Sequence, residues 1–392
     1  MSMVVALNIP AHGHINPTLP VVAELVQRGE QVMYYATETF RSRIEQTGAF
    51  FRGYGPQFAF EQDGGPQGLP ELMRRSIETA ETLLPELLDS LQATRPAYLL
   101  IDSMCVWGHL LQQLLGCPAV TSCSTFAFNR QVGNALRRSS PGRLSLNDLA
   151  SAIRPLVRYF RSAHRIDRRY GTCTPSPLAF VAGRQALNLI YTSREFQPCG
   201  AQFDESYRFV GPSIAPRHET VDFPFERLGA EPLVYISMGT VFNDLADFYH
   251  TCFEAFSGRP YQVVMSVGKT VDPRTLGAPP PNFMVRAYVP QLELLERAAL
   301  FVTHGGMNSV SEALLAHVPM LVIPRGSDQF LVGAQVGALG LGLPLQAAQA
   351  TPQRLRMCAD QVLAEPAYRR RCGVMGESLR AAGGYGRAAD EI

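Results

Sequence analysis

"FVTHGGMNSVSEALLAHVPMLVIP" (residues 301–324) holds a whole structural unit. An apolar run ends at His304, two glycines permit a tight turn, and apolar periodicity from Asn308 predicts a helix over 308–317. "MLVIP" (320–324) is then a second apolar run. Both runs are continuous rather than alternating, as in parallel strands covered on both faces, and the helix between them is the crossover that such strands need. The stretch reads as strand, helix, strand. That places the chain in the α/β class.

The same scheme recurs on either side. "LVYISMG" (233–239), helix 245–257, "QVVMSVG", "FMVRAYV" and "LFVTH" (300–304) precede the unit, and helix 327–339 follows it. The first half repeats the pattern. "MVVALNI" (3–9) leads to a helix predicted from Asn16 to Arg28 and ended by Gly29. "QVMYYAT", a helix in "ETFRSRIEQTG", "YLLID" (98–102), helix 104–115 and "PAVTSC" (118–123) continue it. At 392 residues the chain exceeds what one hydrophobic core supports. The segment 211–232 has four prolines and no periodicity, and reads as a linker. The expected architecture is two doubly wound, Rossmann-like domains facing across a cleft. They span 1–212 and 232–370, joined by 213–231, with a C-terminal helix over 371–392 packing back on the first domain. In such sheets ligands bind beyond the carboxyl ends of the strands.

Composition removes several classes of function. A net charge of +1 argues against bulk attraction to nucleic acid. None of the eight cysteines forms a C-x-x-C pair, so neither a zinc ribbon nor a redox motif is expected. The N-terminus lacks a basic region and breaks at Pro10, unlike a signal peptide. No apolar run approaches ~18 residues, so no transmembrane segment is expected, and a cytoplasmic location is.

The turn after "LFVTH" suits an anion. The first backbone N–H groups of the following helix have no partner within it, and the helix dipole favours negative charge there. His304, Asn308 and Ser309 add side-chain donors, although Asn308 or Ser309 reads equally well as a plain helix cap. Glu312, one turn on, is suited to accept the two hydroxyls of a ribose. Other strand ends share this edge. "SMGT" (237–240) supplies a glycine turn at Gly239 between Ser237 and Thr240, and "YVPQ" (288–291) offers an aromatic face and an amide to a base. "SDQ" (327–329) offers Asp328 and Gln329 to sugar hydroxyls. Together these read as a nucleotide-sugar site. A dinucleotide fold is disfavoured, because the glycines of "GAQVGALGLG" (333–342) fall at a helix end rather than after a strand.

"NIPAHGHINPTLPVVAEL" (8–25) sets His12 and His14 on either side of Gly13. A metal reading needs further ligands at other strand ends of one barrel, and the remaining histidines show no such pattern. His12 is taken as a turn residue. His14 faces the ligand edge, and imidazole has the unperturbed pKa that suits deprotonation of a hydroxyl. Asp102, at the end of "YLLID", either orients that imidazole or caps helix 104–115. No G-x-S-x-G nucleophile accompanies the pair.

With "GHINP" (13–17) and the segment from Tyr288 to Gln329 in view, the chain resembles the macrolide glycosyltransferase branch of the UDP-glycosyltransferases, of the GT-B fold. The resemblance runs over nearly the whole length. It implies inverting transfer of a sugar, most simply glucose, from a UDP- or dTDP-sugar to a hydroxyl of a lipophilic small molecule such as a macrolide or aromatic polyketide. No cofactor or obligatory metal is implied. It puts the base on His14 and its support on Asp102. Pyrophosphate contacts fall on Ser237, Thr240, His304, Gly306, Asn308 and Ser309. Base contacts fall on Tyr288, Val289 and Gln291, the ribose acid on Glu312, and sugar contacts on Asp328 and Gln329. Tyr288 stands where plant members carry tryptophan.

The regions 55–95 and 124–186 resist the regular scheme and read either as an acceptor pocket, with Phe58, Phe60, Met104, Phe126 and Phe128 as its lining, or as extra packing layers. A monomer or weak dimer is expected. Two rival functions remain at this level. One is a peripheral membrane glycolipid glycosyltransferase, suggested by Arg154, Arg158, Arg161, Arg165 and Arg168 at helical spacing around Ile153, Val157 and Phe160. The other is a non-catalytic nucleotide-sugar sensor.

Overall fold

Apolar strands that pair in parallel must be covered on both faces, and the chain builds two such sheets. The computed structural model describes residues 2–56, 58, 68–139, 146–215, 222–239, 245–269 and 271–392. They form two units, one of Met1–Ile214 with Ala382–Ile392 and one of Ala215–Ala381.

The first unit carries β1 (Met3–Leu7), β2 (Gln31–Ala36), β3 (Phe50–Gly53), β4 (Tyr98–Asp102), β5 (Ala119–Cys123), β6 (Leu187–Ile190) and β7 (Tyr207–Phe209). Their order is β3-β2-β1-β4-β5-β6-β7, and every pairing is parallel. Successive side chains go to opposite faces. Val5, Leu7, Leu99 and Ile101 join a core with Met73, Ile77 and Leu84 of the helix Leu69–Thr94 and with Leu110 and Leu111 of the helix Val106–Leu115. Val4, Ala6, Leu100 and Val120 join a second core with Val21, Val22 and Leu25 of the helix His12–Gln27.

The second unit carries β8 (Leu233–Ser237), β9 (Gln262–Ser266), β10 (Phe283–Arg286), β11 (Ala298–Thr303), β12 (Met320–Val322) and β13 (Gly342–Pro344), ordered β10-β9-β8-β11-β12-β13 and again parallel throughout. Val234, Ile236, Val263, Met265, Leu300 and Val302 pack under Phe248, Cys252 and Phe256 of the helix Ala246–Phe256 and under Leu355 and Val362 of the helix Pro352–Ala364.

In each sheet the strand order reverses direction once, between β1 and β4 in the first and between β8 and β11 in the second. A crevice opens where neighbouring strands send their connections to opposite sides, and ligands bind there in open α/β sheets. The register pairs Leu7 with Ile101 and Ser237 with Thr303. His14 therefore follows β1 and Asp102 ends β4, the switch-point strands of the first sheet, and Gly239 and His304 follow those of the second.

Two boundaries differ from the sequence reading. The first helix begins at His12 rather than Asn16, so His-Gly-His forms its first turn. Ala11 is the extended N-cap, and its carbonyl accepts from the N–H groups of His14 and Ile15. At the other end, 371–392 does not act as one segment. The helix Pro366–Ala381 stays on the second unit through buried Cys372 and Leu379, and Arg380 donates to the Leu315 carbonyl at 3.1 Å. Gly383 and Gly384, both at positive φ, then turn the chain into the helix Gly384–Glu391 of the first unit. There Asp390 pairs with Arg28 and Glu391 with Arg208, each at 2.8 Å.

Candidate active site

β1 delivers the chain to a polar knot under the His14 turn. Asn8, wholly buried, donates its amide to Thr18 Oγ1 at 2.9 Å and to the His14 carbonyl at 3.2 Å. Thr18 Oγ1 also donates to that carbonyl at 2.8 Å. Pro17, inside this helix, has no N–H to give its ladder, and the bonds from Asn8 and Thr18 to the neighbouring His14 carbonyl tie the turn to the end of β1.

The His14 imidazole then reaches the end of β4. Its Nδ1 lies 2.7 Å from Asp102 Oδ2, with the carboxylate fully buried and the histidine side chain 18% exposed. The other carboxylate oxygen accepts the Met104 N–H at 2.9 Å. Asp102 thus serves the turn after β4 and the imidazole with different oxygens, while the N-cap of the next helix is Cys105. Buried carboxylate oxygens need such hydrogen-bond partners. Ser124 Oγ lies 3.2 Å from the same Nδ1 and had no place in the sequence reading. Its only signal there is that it follows β5, which pairs with β4. A ring that donates from Nδ1 to a carboxylate carries its lone pair on Nε2, the form that takes a proton from a substrate hydroxyl. His12 is exposed and meets Phe40 edge-on, with ring centroids 4.9 Å apart. Among the described residues no group of three His, Cys, Asp or Glu side chains gathers as a metal-ligand set.

In the second unit the turn after β11 is shaped around one imidazole. Gly305 sits at φ +86°, and a Cβ there would meet Val322 at 2.6 Å. A Cβ on Gly239 would come within 2.6 Å of the His304 ring, and one on Gly306 within 2.5 Å. The ring therefore fits only because both neighbours lack side chains. Gly306 is also the N-cap of the helix Met307–Leu315, extended and without a side-chain bond. Asn308 and Ser309 lie inside the helix and are not its caps, so its first amides keep the geometry that receives an anion.

Burial pushes the His304 imidazole down to about 4, against the upward pull of its bond to the Ser237 backbone. Part of the residue's surface is accessible, but the ring nitrogens lie against the two glycines, where desolvation acts. The folded ring stays neutral while the unfolded one takes a proton near pH ~6.5. Stability from this residue is therefore present above that pH and is lost as pH falls towards the folded value. The melting-temperature advantage of the wild type over His304→Gln should narrow between about pH 7 and pH 5. A pH-independent difference contradicts the buried neutral ring.

The base and ribose candidates form one network. Glu312, 3% exposed, accepts from Gln291 Nε2 at 2.6 Å, and Tyr235 donates its hydroxyl to Gln291 Oε1 at 2.9 Å. Ser309 Oγ is 3.5 Å from Gln291 Nε2. Gln291 is thus fixed between an acid and a phenol rather than projecting as a lone amide. Tyr288 is 41% exposed, with Lys269 Nζ 5.9 Å from its ring centroid, whereas Val289 is buried. Gln329, expected at the sugar, turns its amide oxygen back to the N–H groups of Arg325 and Gly326 at 2.8 and 3.0 Å and so caps the helix Ser327–Ala338. Asp328 is exposed. Arg325 was not singled out from the sequence. Its guanidinium stacks on Phe248 at 5.3 Å, burial pushes its pKa down, and its buried Nε has no hydrogen-bond partner among the described residues.

Thr240 and Phe60 lie outside the described residues. Phe58 and Phe126 are core side chains rather than open pocket lining. Phe58 stacks on Tyr54 at 4.9 Å and meets Trp107, and Phe126 packs on Phe196 at 5.3 Å. Such ring pairs contribute about 0.5–1.5 kcal/mol beyond the area they bury. Met104 and Phe128 are half-buried.

Residues 261–382 match the family model of the erythromycin biosynthesis protein CIII-like C-terminal domain. The NDP-glycosyltransferase YjiC of Bacillus licheniformis is 36% identical over 98% of this chain and 95% of its own length. The oleandomycin glycosyltransferase of Streptomyces antibioticus is 30% identical over 98% of this chain and 89% of its own. Among solved structures, the glycosyltransferase of kitacinnamycin superposes with a TM-score of 0.85 at 28% identity, covering 99% of this chain and 97% of that one.

Proposed function

Because the chain belongs to the macrolide glycosyltransferase branch of the UDP-glycosyltransferases and is a glycosyltransferase, we propose that it transfers a hexose, with inversion, from a UDP- or dTDP-sugar to a hydroxyl of a lipophilic natural product. The observation that carries this reading is the 2.7 Å contact of His14 Nδ1 with buried Asp102 at the switch point of the first sheet.

The step balances with one base. His14 Nε2 takes the proton of the acceptor hydroxyl as the oxygen attacks the anomeric carbon of the donor. The bond from that carbon to the phosphate oxygen breaks, and the nucleoside diphosphate departs with the electron pair. One displacement on the face opposite the leaving group inverts the anomeric centre. Asp102 stabilises the imidazolium that forms, and Ser124 helps to keep the ring in place. Negative charge growing on the diphosphate is met by the amides of the helix Met307–Leu315. Glu312 serves the ribose hydroxyls while holding Gln291 for the base.

The test is a donor-by-acceptor screen read by mass spectrometry, with the anomeric configuration of each product assigned by NMR. Transfer from UDP- or dTDP-hexose with inverted configuration is expected. Retained configuration, or no transfer from any nucleotide sugar, contradicts the reading. Since the amides of the helix start address the diphosphate, EDTA should leave activity within about twofold of the untreated enzyme. Loss on chelation that one divalent metal restores would return a metal to the mechanism.

A further inference from the structure

Residues 130–170 hold ten of the chain's 35 cationic side chains, all arginine, and only two of its 34 acidic ones. Most of this segment is the helix Leu146–Tyr170. Its inner side is settled. Tyr159, Ala163 and Ile166 are buried in the first unit's core, and Arg158 and Arg165 pair with Glu78 and Glu81 of the helix Leu69–Thr94 at 2.8 and 2.6 Å. These two arginines therefore do not belong to the outer face on which the sequence pattern had set them.

The outer side is different. Ile153, Val157 and Phe160 are 58%, 42% and 53% exposed, at the i, i+4, i+7 spacing that lines up side chains on one face. They are three of the eight exposed large hydrophobics in the described chain, so they form a stripe rather than a scatter. Arg154, Arg161, His164 and Arg168 are exposed around them. Asp167, the acid nearest in sequence, turns to Thr172 and Thr174.

We propose that this face of the helix Leu146–Tyr170 docks on an anionic lipid surface. The apolar stripe enters the headgroup boundary, and the flanking arginines reach lipid phosphates while their stems lie along the stripe. A second copy fits less well, because a symmetric contact would set arginine against arginine with no acid between. The helix lies on the membrane rather than in it, since no helix among the described residues is long and apolar enough to cross one. The proposal is independent of the sugar, the acceptor and the catalytic assignments.

The full chain should co-sediment with vesicles of phosphatidylglycerol in phosphatidylcholine, but not with phosphatidylcholine alone, and rising salt should weaken the binding. Arg154→Gln, Arg161→Gln and Arg168→Gln combined should lower partitioning by roughly a hundredfold, at about fivefold for each arginine near the surface. Val157→Ser with Phe160→Ser should lower it also at high salt. Circular dichroism melts matching the wild type show that each variant is folded. Absence of phosphatidylglycerol-dependent binding, or equal partitioning of wild type and variants, overturns the proposal. So does a concentration-dependent dimer, seen by sedimentation velocity, that Val157→Ser with Phe160→Ser abolishes, since the stripe would then belong to a second copy.

Discussion

Replacing His14 with alanine should lower turnover of an alcohol acceptor by about 10²–10⁴-fold, the usual scale of general-base catalysis. The substitution removes the acceptor for the hydroxyl proton and leaves the attacking oxygen neutral. Affinity for UDP should barely change, because the nucleotide contacts assigned here all come from the second unit, while His14 belongs to the first. Equal loss in turnover and in UDP affinity would mark the variant as misfolded or His14 as a binding residue. Asp102→Asn should cost less than His14→Ala. The amide can still accept the Met104 N–H, now bonded at 2.9 Å, but has no charge to stabilise imidazolium. A loss for Asp102→Asn confined to KM would contradict the orienting role.

Glu312→Ala should weaken UDP binding by about 1.5–3 kcal/mol, the range for hydrogen bonds to a charged group. In calorimetry that is roughly a 10- to 150-fold rise in Kd. The structure adds a second route to the same loss, because Glu312 holds Gln291 at 2.6 Å. A double-mutant cycle separates the two. If Glu312 contacts ribose itself, Glu312→Ala should exceed Gln291→Ala, and the double variant should exceed either. An unchanged UDP affinity rejects the ribose role. Identical losses for both single variants and the double variant would make Glu312 only a support for Gln291.

Strands with a long apolar run were legible in the sequence, and β1, β4, β8 and β11 each coincide with one. These are the strands at which the two sheets change direction, so the addresses of His14, Asp102, Gly239 and His304 could be read from the runs that precede them. Strands β3, β6, β7 and β13 are three or four residues long and lie in no continuous apolar run, whereas the equally short β10 and β12 sit inside the longer runs "FMVRAYV" and "MLVIP". The start of the first helix was misplaced for a different reason. Glycine and Pro17 both argue against a helix locally, and the buried Asn8–Thr18 bonds that override them come from residues ten apart. The candidate site was legible as residue types and not as wiring. Ser124 approaches His14 across 110 positions of sequence, and Gln291 meets Glu312 across 21. Gly239 reads in the sequence as a turn for the donor, whereas the fold also needs its missing side chain to make room for the His304 ring. Phe58 and Phe126 show the same limit in reverse, because an aromatic residue in an irregular region carries no mark of whether it faces a ligand or another ring.

As the proposed base, His14 serves a hydroxyl that cannot ionise unaided. A thiol of matched shape is partly ionised at neutral pH and needs far less help. The decisive measurement is turnover of paired alcohol and thiol acceptors by wild type and His14→Ala at saturating donor. The alcohol should lose about 10²–10⁴-fold and the thiol far less. Equal losses for both acceptors, with binding of each intact, would contradict the assignment of His14 as the base.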